Sequence, residues 1–411
     1  MTMKMGNVIV GQSGGPTSVI NSSLAGVFKT AKQLGAPVVY GMRNGIEGLL
    51  EERYIDMSEY IKGDFEVELL KRTPSAYLGS CRFKLPTYEK SPETYDRIIE
   101  VLRKLDVKHF FYIGGNDSMD TIKQLSEYAK VKNITDITFM GVPKTIDNDL
   151  AVTDHTPGYG SAAKYIGATV KEIIQDAYVQ PINIVTVIEI MGRNAGWLAA
   201  ASALAKGPDC PGADLIYLPE TVFDINKFVQ KVKDIQKDKK QIVVCVSEGI
   251  KTADGKYVCE SAASSTMVDS FGHKMLGGTA STLANLLSGE IGCKTRPIEF
   301  STIQRCASHI GSLTDVTEAF LIGAVAVKAA AEGETGKVGV FERVSNKPYL
   351  VGTSIYDVNA IANVEKTVPK EWIINDGTAL SQDAIDYMKP LIQGEVQPYM
   401  VDGLPMHITL G

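Results

Sequence analysis

Lys144, Thr145, Asp147 and Asp149 fall within the seven residues Pro143–Asp149, directly after an apolar run. A lysine beside two carboxylates suits chemistry in which a proton is removed while negative charge is neutralised. In an extended segment Thr145, Asp147 and Asp149 project to one side, because side chains alternate with period two. Two glycine loops accompany this run, Gly11-Gln12-Ser13-Gly14-Gly15 and Gly114-Gly115-Asn116-Asp117-Ser118. Their glycines let backbone N–H groups approach an anion at a helix N-terminus. The carboxylate after the second pair suits a phosphate and its magnesium ion. A fourth loop, Met191-Gly192-Arg193-Asn194-Ala195-Gly196-Trp197, offers a flexible backbone and a guanidinium to a phosphate or sugar edge. Each loop also has a plainer reading: a tight turn, an N-cap by Asp117 or Ser118, solvated loop charges, or a strand-to-helix turn.

Other patterns carry less. The first loop fits the G-x-S-x-G nucleophile elbow at Ser13, but it lies on the first strand without an oxyanion motif or triad histidine. A phosphate cradle fits it better. Ser161 and Lys164 match S-x-x-K without the companion motifs of that chemistry, and they sit inside an amphipathic helix. The histidines (109, 155, 273, 309, 407) are far apart, so no zinc site is expected.

The elements that must position these loops alternate. Residues 7–11 read as a buried strand. Val19, Ile20, Leu24, Val27, Phe28, Ala31 and Leu34 then recur at helical spacing until Gly35. Ser91-Pro92-Glu93 opens another helix with a cap and a first-turn proline. A strand at His109–Ile113, a helix from about Ser118 and a strand at Ile137–Val142 follow. A second series beginning near Gly158 places strands at Ile182–Ile190, Asp214–Leu218 and Gln241–Ser247, with Asp224 capping a helix between the last two. Lys237-Asp238-Lys239-Lys240 reads as a solvated helix end. Further strands near 338–341 and 349–355 and a helix at 381–388 are expected. Alternation of this kind implies parallel sheets with crossover helices, here two facing α/β units. All four loops then sit at the carboxyl ends of strands, where open α/β sheets bind ligands.

Composition narrows the class. Of 411 residues, 48 are acidic and 42 basic, a formal charge of −6, with no basic excess for a polyanionic duplex. No run approaches the ~18 apolar residues of a membrane span, and the start shows no signal-peptide pattern. Six scattered cysteines without a C-x-x-C pair point to reduced thiols in a cytoplasmic protein.

Taken in order, the loops resemble those of the phosphofructokinase family, and of its pyrophosphate-dependent branch, over roughly residues 6–330. The similar stretches are Gly14-Gly15, Leu78-Gly79-Ser80-Cys81-Arg82, Gly114 to Ser118, Pro143 to Asp149, Met191-Gly192-Arg193, Ser247-Glu248-Gly249 and Gln304-Arg305. The resemblance implies two facing Rossmann-like units. Residues 1–157 with about 304–335 would bind the donor and 158–303 fructose 6-phosphate, with an extension, 336–411, packing on the second unit. It implies transfer from pyrophosphate to the 1-hydroxyl of fructose 6-phosphate, with Asp147 as base supported by Asp149 and Thr145 steadying the substrate. Arg82 and Lys144 would neutralise the transferred group. Gly14, Gly15 and Gly115 would cradle the donor, and Asn116 would hold Mg2+. Met191, Gly192, Arg193, Glu248 and Thr302 would contact the sugar phosphate, with Arg296 and Arg305 clamping its 6-phosphate. Some family members take 6-phosphate arginines from a neighbouring subunit, so a homodimer or homotetramer is implied.

Two positions bear on the donor. ATP users of the family have glycine where this chain has Asp117 and Lys144, and pyrophosphate users have aspartate and lysine. An aspartate in the α-phosphate space repels it by roughly 4 kcal/mol at ~4 Å and an effective dielectric of about 20. Asn116 departs from the usual aspartate, so Asp117 or donor oxygens would carry more of the ion. Thr302 replaces a bulkier ring residue. Rival readings are an ATP-dependent enzyme, a Ser13 hydrolase and a sugar-phosphate sensor without turnover.

Overall fold

The first apolar run becomes β1 (Asn7–Gln12) and the helical stripe behind it becomes α1 (Ile20–Gln33). The computed structural model describes residues 5–179, 181–262 and 276–410; the first four residues and His273 lie outside them. The first unit continues with β2 (Val39–Met42), α2 (Gly45–Leu50), β3 (Tyr54–Asp56), α3 (Asp64–Arg72), α4 (Pro92–Lys104), β4 (Val107–Gly114), α5 (Asn116–Val131) and β5 (Thr138–Pro143). β2, β1, β4 and β5 run parallel, and β3 closes one edge antiparallel. Val8, Val10, Phe111, Ile113 and Met140 are fully buried under α1, as expected for strands covered on both faces.

The second unit comprises α6 (Tyr159–Ala177), β6 (Ile184–Ile190), α7 (Trp197–Ala200), β7 (Leu215–Tyr217), α8 (Ile225–Gln236), β8 (Gln241–Ser247), α9 (Thr279–Ile291), β9 (Lys294–Glu299) and α10 (Ile303–Cys306). Its sheet is wholly parallel in the order β7-β8-β6-β9. Asp224 caps α8 by accepting the Lys227 N–H at 3.0 Å. Ser161 and Lys164 lie within α6. No helix among the described residues is long and apolar enough to cross a membrane.

The last part of the chain departs from expectation. α11 (Leu313–Ala331) returns to the first unit, where Ile322, Ala326 and Val327 join Ile20 and Leu24 in one core. Residues 336–411 do not pack on the second unit as one extension. β10 (Lys337–Asn346) pairs parallel with β5, and β11 (Tyr349–Asp357) pairs antiparallel with β10, completing a seven-stranded first sheet, β11-β10-β5-β4-β1-β2-β3. The buried run Val338–Phe341 is the reason, since it covers the otherwise open edge of β5. α12 (Gln382–Met388) instead inserts Tyr387 and Met388 into the second unit's core beside Ile166, Ile188 and Trp197. The extension therefore stitches the two units together.

Candidate active site

Register brings the first three loops side by side. Gln12 pairs with Ile113, and Gly114 pairs with Pro143, so β1, β4 and β5 end level with one another. The loop after β1 is fixed by Ser13 N–H to Ile113 O (2.9 Å) and Gly14 N–H to Cys81 O (3.1 Å). Ser80 Oγ donates to Gly14 O at 2.6 Å. These bonds draw the segment before Arg82 against the loop. Gly14 is left-handed (φ +74°), and a Cβ there would stand 3.4 Å from Lys144 Nζ. One at Gly15 would stand 3.2 Å from Arg305 Nη1. The two glycines thus leave room for two cations.

One expectation for this loop fails, and the discounted Ser13 elbow gains no support. The loop is not at a helix N-terminus, because α1 starts only at Ile20, where Thr17 Oγ1 accepts the Ile20 N–H at 2.9 Å. The Gly14 amide is already committed to Cys81. Ser13 is not placed as a nucleophile: the residue is 3 % exposed, and its hydroxyl donates to Cys81 O at 3.4 Å. Among the described residues no histidine lines the cleft.

The second loop does open a helix, two residues earlier than expected. Gly115 is the N-cap of α5 with no side-chain cap bond, so neither Asp117 nor Ser118 serves as cap. Asn116 and Asp117 occupy the first turn, where the helix dipole favours negative charge. Asn116 Oδ1 is buried without a hydrogen-bond partner, an acceptor waiting for a cation or donor. Among the described residues no group of three or more His, Cys, Asp or Glu could hold a metal ion. A divalent ion here must therefore complete its shell with phosphate oxygens and water, as Mg2+ commonly does.

Thr145, Asp147 and Asp149 do converge on one cleft, though not by strand alternation. β5 ends at Pro143, and the chain turns over residues 146–147. Thr145 Oγ1 accepts the Asp147 N–H at 3.1 Å and lies 3.4 Å from Asp147 Oδ2. Asn148 then adopts φ +54°. Such a turn needs partners far away in sequence: Asn148 Oδ1 accepts the Thr156 N–H at 3.1 Å, and Asn148 Nδ2 donates to Tyr387 OH at 2.8 Å.

The second unit supplies the opposite wall. Ile190 pairs with Ser247, which sets Met191–Arg193 beside Glu248. Gly192 has φ +133°, and a Cβ there would stand 2.6 Å from Ala195 O, so only glycine fits. Its N–H donates to Glu248 Oε1 at 3.3 Å. Buried Gln304 accepts the Met191 N–H at 3.3 Å through Oε1, tying this loop to α10 and Arg305.

The resulting cleft has a volume of about 540 Å³. Five cations (Arg82, Lys84, Lys144, Arg193, Arg305) and five carboxylates (Asp117, Asp147, Asp149, Glu248, Glu365) line it. Lys144 is 3 % exposed and donates to Gly15 O at 2.6 Å. Burial lowers its ammonium to about 8, partly opposed by Asp147 and Asp149. Burial raises Asp147 despite the nearby Lys144. Burial, then Asp147 and Glu365, raise Asp149 to about 7. Burial also raises Glu248 to about 7. Burial and the adjacent Arg82 hold Arg305 below its ordinary range. Clustered groups with such displaced proton affinities mark functional sites.

Gly14, Gly15, Gly115, Asn116, Asp117, Arg82, Lys144, Thr145, Asp147, Asp149, Met191, Arg193, Glu248 and Arg305 all line this cleft. Gly192, Arg296 and Thr302 do not; Gly192 instead shapes the loop through its left-handed backbone and its bond to Glu248. Arg296 is on the partly exposed strand β9 with its guanidinium 2.6 Å from Asp176, and Thr302 is an exposed N-cap of α10. Arg305 and Arg296 therefore do not meet in this cleft: Arg305 lines it, while Arg296 is paired with Asp176. Sequence reasoning missed Lys84, Asn363 and Glu365. Lys84 stands two residues past Arg82, a spacing that could have flagged it. Asn363 and Glu365 lie in an irregular strap placed by the Leu150–Glu365 bridge and by Lys366 N–H to Asp149 O (2.7 Å).

Known proteins resemble this chain along nearly its whole length. Residues 7–298 match the family model described as Phosphofructokinase. The chain is 42% identical over 412 residues to the pyrophosphate--fructose 6-phosphate 1-phosphotransferase of Xanthomonas campestris pv. campestris, covering 99% of this chain and 97% of the relative. It is 39% identical over 408 residues to the protein of the same name from Methylococcus capsulatus, with 98% and 96% covered. The solved pyrophosphate-dependent phosphofructokinase of Nitrosospira multiformis superposes with a TM-score of 0.87 at 37% identity, covering 99% of this chain and 96% of the other.

Proposed function

The chain belongs to the phosphofructokinase family, and from that premise we propose that it moves a phosphoryl group reversibly between pyrophosphate and the 1-hydroxyl of fructose 6-phosphate. The forward products are fructose 1,6-bisphosphate and phosphate. The observation that carries the donor choice is the pairing of Asp117 and buried Lys144 in one cleft, with Lys144 bonded to Gly15 O. A compact diphosphate is met by the Lys144 ammonium, while a longer nucleotide must bring its α-phosphate towards the Asp117 carboxylate.

Asp147 is the base. Burial raises its proton affinity above the ordinary aspartate range, which suits a proton acceptor, and Thr145 lies beside its carboxylate. As that proton leaves, the hydroxyl oxygen attacks the terminal phosphorus and phosphate departs. Lys144 and Arg82 neutralise the charge spread over the transferred group, the largest demand of phosphoryl transfer, and Arg305 takes the 6-phosphate. Binding an anion also restores the ammonium of Lys144 to its charged form. Asn116 and Asp117 would hold Mg2+ together with donor oxygens; when bound, the ion shields donor charge and orients the phosphates. Arg193, Met191 and Glu248 receive the sugar phosphate on the facing wall.

The active form is a cytoplasmic homodimer or homotetramer. Arg296, exposed and outside its own cleft, supports a contribution to a neighbouring subunit's site, and six free cysteines fit a reducing compartment. The experiment that tests the reaction runs it backwards: purified protein given fructose 1,6-bisphosphate, orthophosphate and Mg2+ should form pyrophosphate. Absence of pyrophosphate in an otherwise active preparation would reject the reversible scheme.

A further inference from the structure

Two groups of the C-terminal extension reach the loop that follows the base. Tyr387, on α12 and 7 % exposed, accepts from Asn148 Nδ2 at 2.8 Å and donates its hydroxyl proton to Asp154 O at 2.6 Å. Lys366 donates through its backbone to Asp149 O at 2.7 Å and through Nζ to Asp154 O, also at 2.7 Å. Asn148 stands between Asp147 and Asp149 in a left-handed conformation that asparagine tolerates, and its side chain ties the turn to its surroundings. Tyr387 is itself locked. Arg343 donates to its carbonyl at 2.7 Å and covers its ring at 4.4 Å, and Trp197 and Trp372 pack within 5.3 Å of the ring.

We propose that Tyr387 is a positioning residue for phosphoryl transfer: through Asn148 its hydroxyl holds the turn that aims the Asp147 carboxylate, making the C-terminal extension part of the catalytic apparatus. The hydroxyl sits where the two units meet, so the base's aim is set by a residue packed in the second unit's core while Asp147 hangs from the first unit's sheet. Burial keeps the phenol protonated, so it serves continuously as donor to Asp154 and acceptor from Asn148. Neither side chain lines the cleft, so losing the bond disturbs aim and not substrate contacts. This inference rests on Asp147 being the base, but not on the identity of the donor.

Tyr387→Phe deletes the single oxygen. With whichever donor the wild type uses, kcat should fall by about tenfold or more, since misplacement of a reacting group by ~1 Å can cost 10²-fold. KM for both substrates should stay unchanged. Asn148→Gly, which tolerates the left-handed backbone, is the second arm and should lower kcat likewise. The double variant should be no slower than Asn148→Gly alone, because both remove the same tie. Wild-type kcat in folded Tyr387→Phe, whatever its melting temperature, overturns the proposal; so does additive loss in the double variant. If Tyr387→Phe does not fold, full kcat in Asn148→Gly overturns it instead. Full activity in Asp147→Asn would signal failure of the base assignment itself.

Discussion

Lys144 Nζ donates to the carbonyl oxygen of Gly15 at 2.6 Å, joining the end of β5 to the glycine loop after β1. The only full charge in this pair is the ammonium, and burial lowers it to about 8. The protonated fraction in the free enzyme therefore falls as pH rises through about 8. kcat/KM for pyrophosphate should decline over that window, since kcat/KM reports the free enzyme. Lys144→Arg, which stays charged, should move the decline to higher pH if it remains active. Lys144→Gly should damage kcat with pyrophosphate without opening ATP use. An unchanged alkaline limb in Lys144→Arg assigns the limb to another group.

Asp147→Asn keeps the turn's shape and removes the proton acceptor. Fructose 6-phosphate binding should persist while kcat drops by ~10²–10⁴-fold, the usual worth of a positioned base. Turnover near the wild-type rate would take Asp147 out of that role.

Arg305 lies over the Gly14–Gly15 loop, within reach of Arg82 and Asp147. Arg305→Ala should raise KM for fructose 6-phosphate more than KM for pyrophosphate. Loss of a charge-assisted phosphate contact amounts to ~1.5–3 kcal/mol. The reverse order of effects would assign Arg305 to the donor.

Glu248 stores instability for use. Burial raises its carboxyl to about 7, so the folded chain holds that proton more tightly than the unfolded chain. Its contribution favours folding below the ordinary glutamate range and is lost as pH rises through about 7. Glu248→Gln keeps an acceptor for the Gly192 N–H. It should stabilise the ligand-free protein by about 1–3 kcal/mol at alkaline pH, because each tenfold gain in proton affinity on folding is worth ~1.4 kcal/mol. Near the ordinary glutamate range the variant and wild type should unfold alike. Denaturant melts at both pH values check this, and equal stability at alkaline pH counts against it.

The strands and their loops are legible in the sequence because β1, β4, β5, β6 and β8 are short apolar runs that lead into loops rich in glycine and charged or polar residues. Their parallel order follows from the alternation with helices. The turn at Ile146–Asn148 is not legible, since its shape depends on Thr156 and on Tyr387, 239 positions from Asn148. The start of α5 is hidden because its cap is Gly115, which has no capping side chain to announce it. β9 gives no strand signal: Lys294–Glu299 is a partly exposed edge strand holding Pro297, without an apolar run. Asn363 and Glu365 carry no pattern, because distant partners bring them to the cleft: Asp120 for Asn363, Leu150 for Glu365, and Asp149 for the next residue, Lys366.

The most direct test of the account measures fructose 1,6-bisphosphate formation from fructose 6-phosphate and Mg2+ with pyrophosphate or ATP, in the wild type and in Asp117→Gly. A repulsion of about 4 kcal/mol at the Asp117 carboxylate corresponds to nearly three decades in affinity. The account predicts turnover with pyrophosphate and almost none with ATP in the wild type, and measurable ATP use once Asp117 is glycine. A wild type that prefers ATP, or an Asp117→Gly variant that still rejects it, contradicts the assigned basis of donor choice.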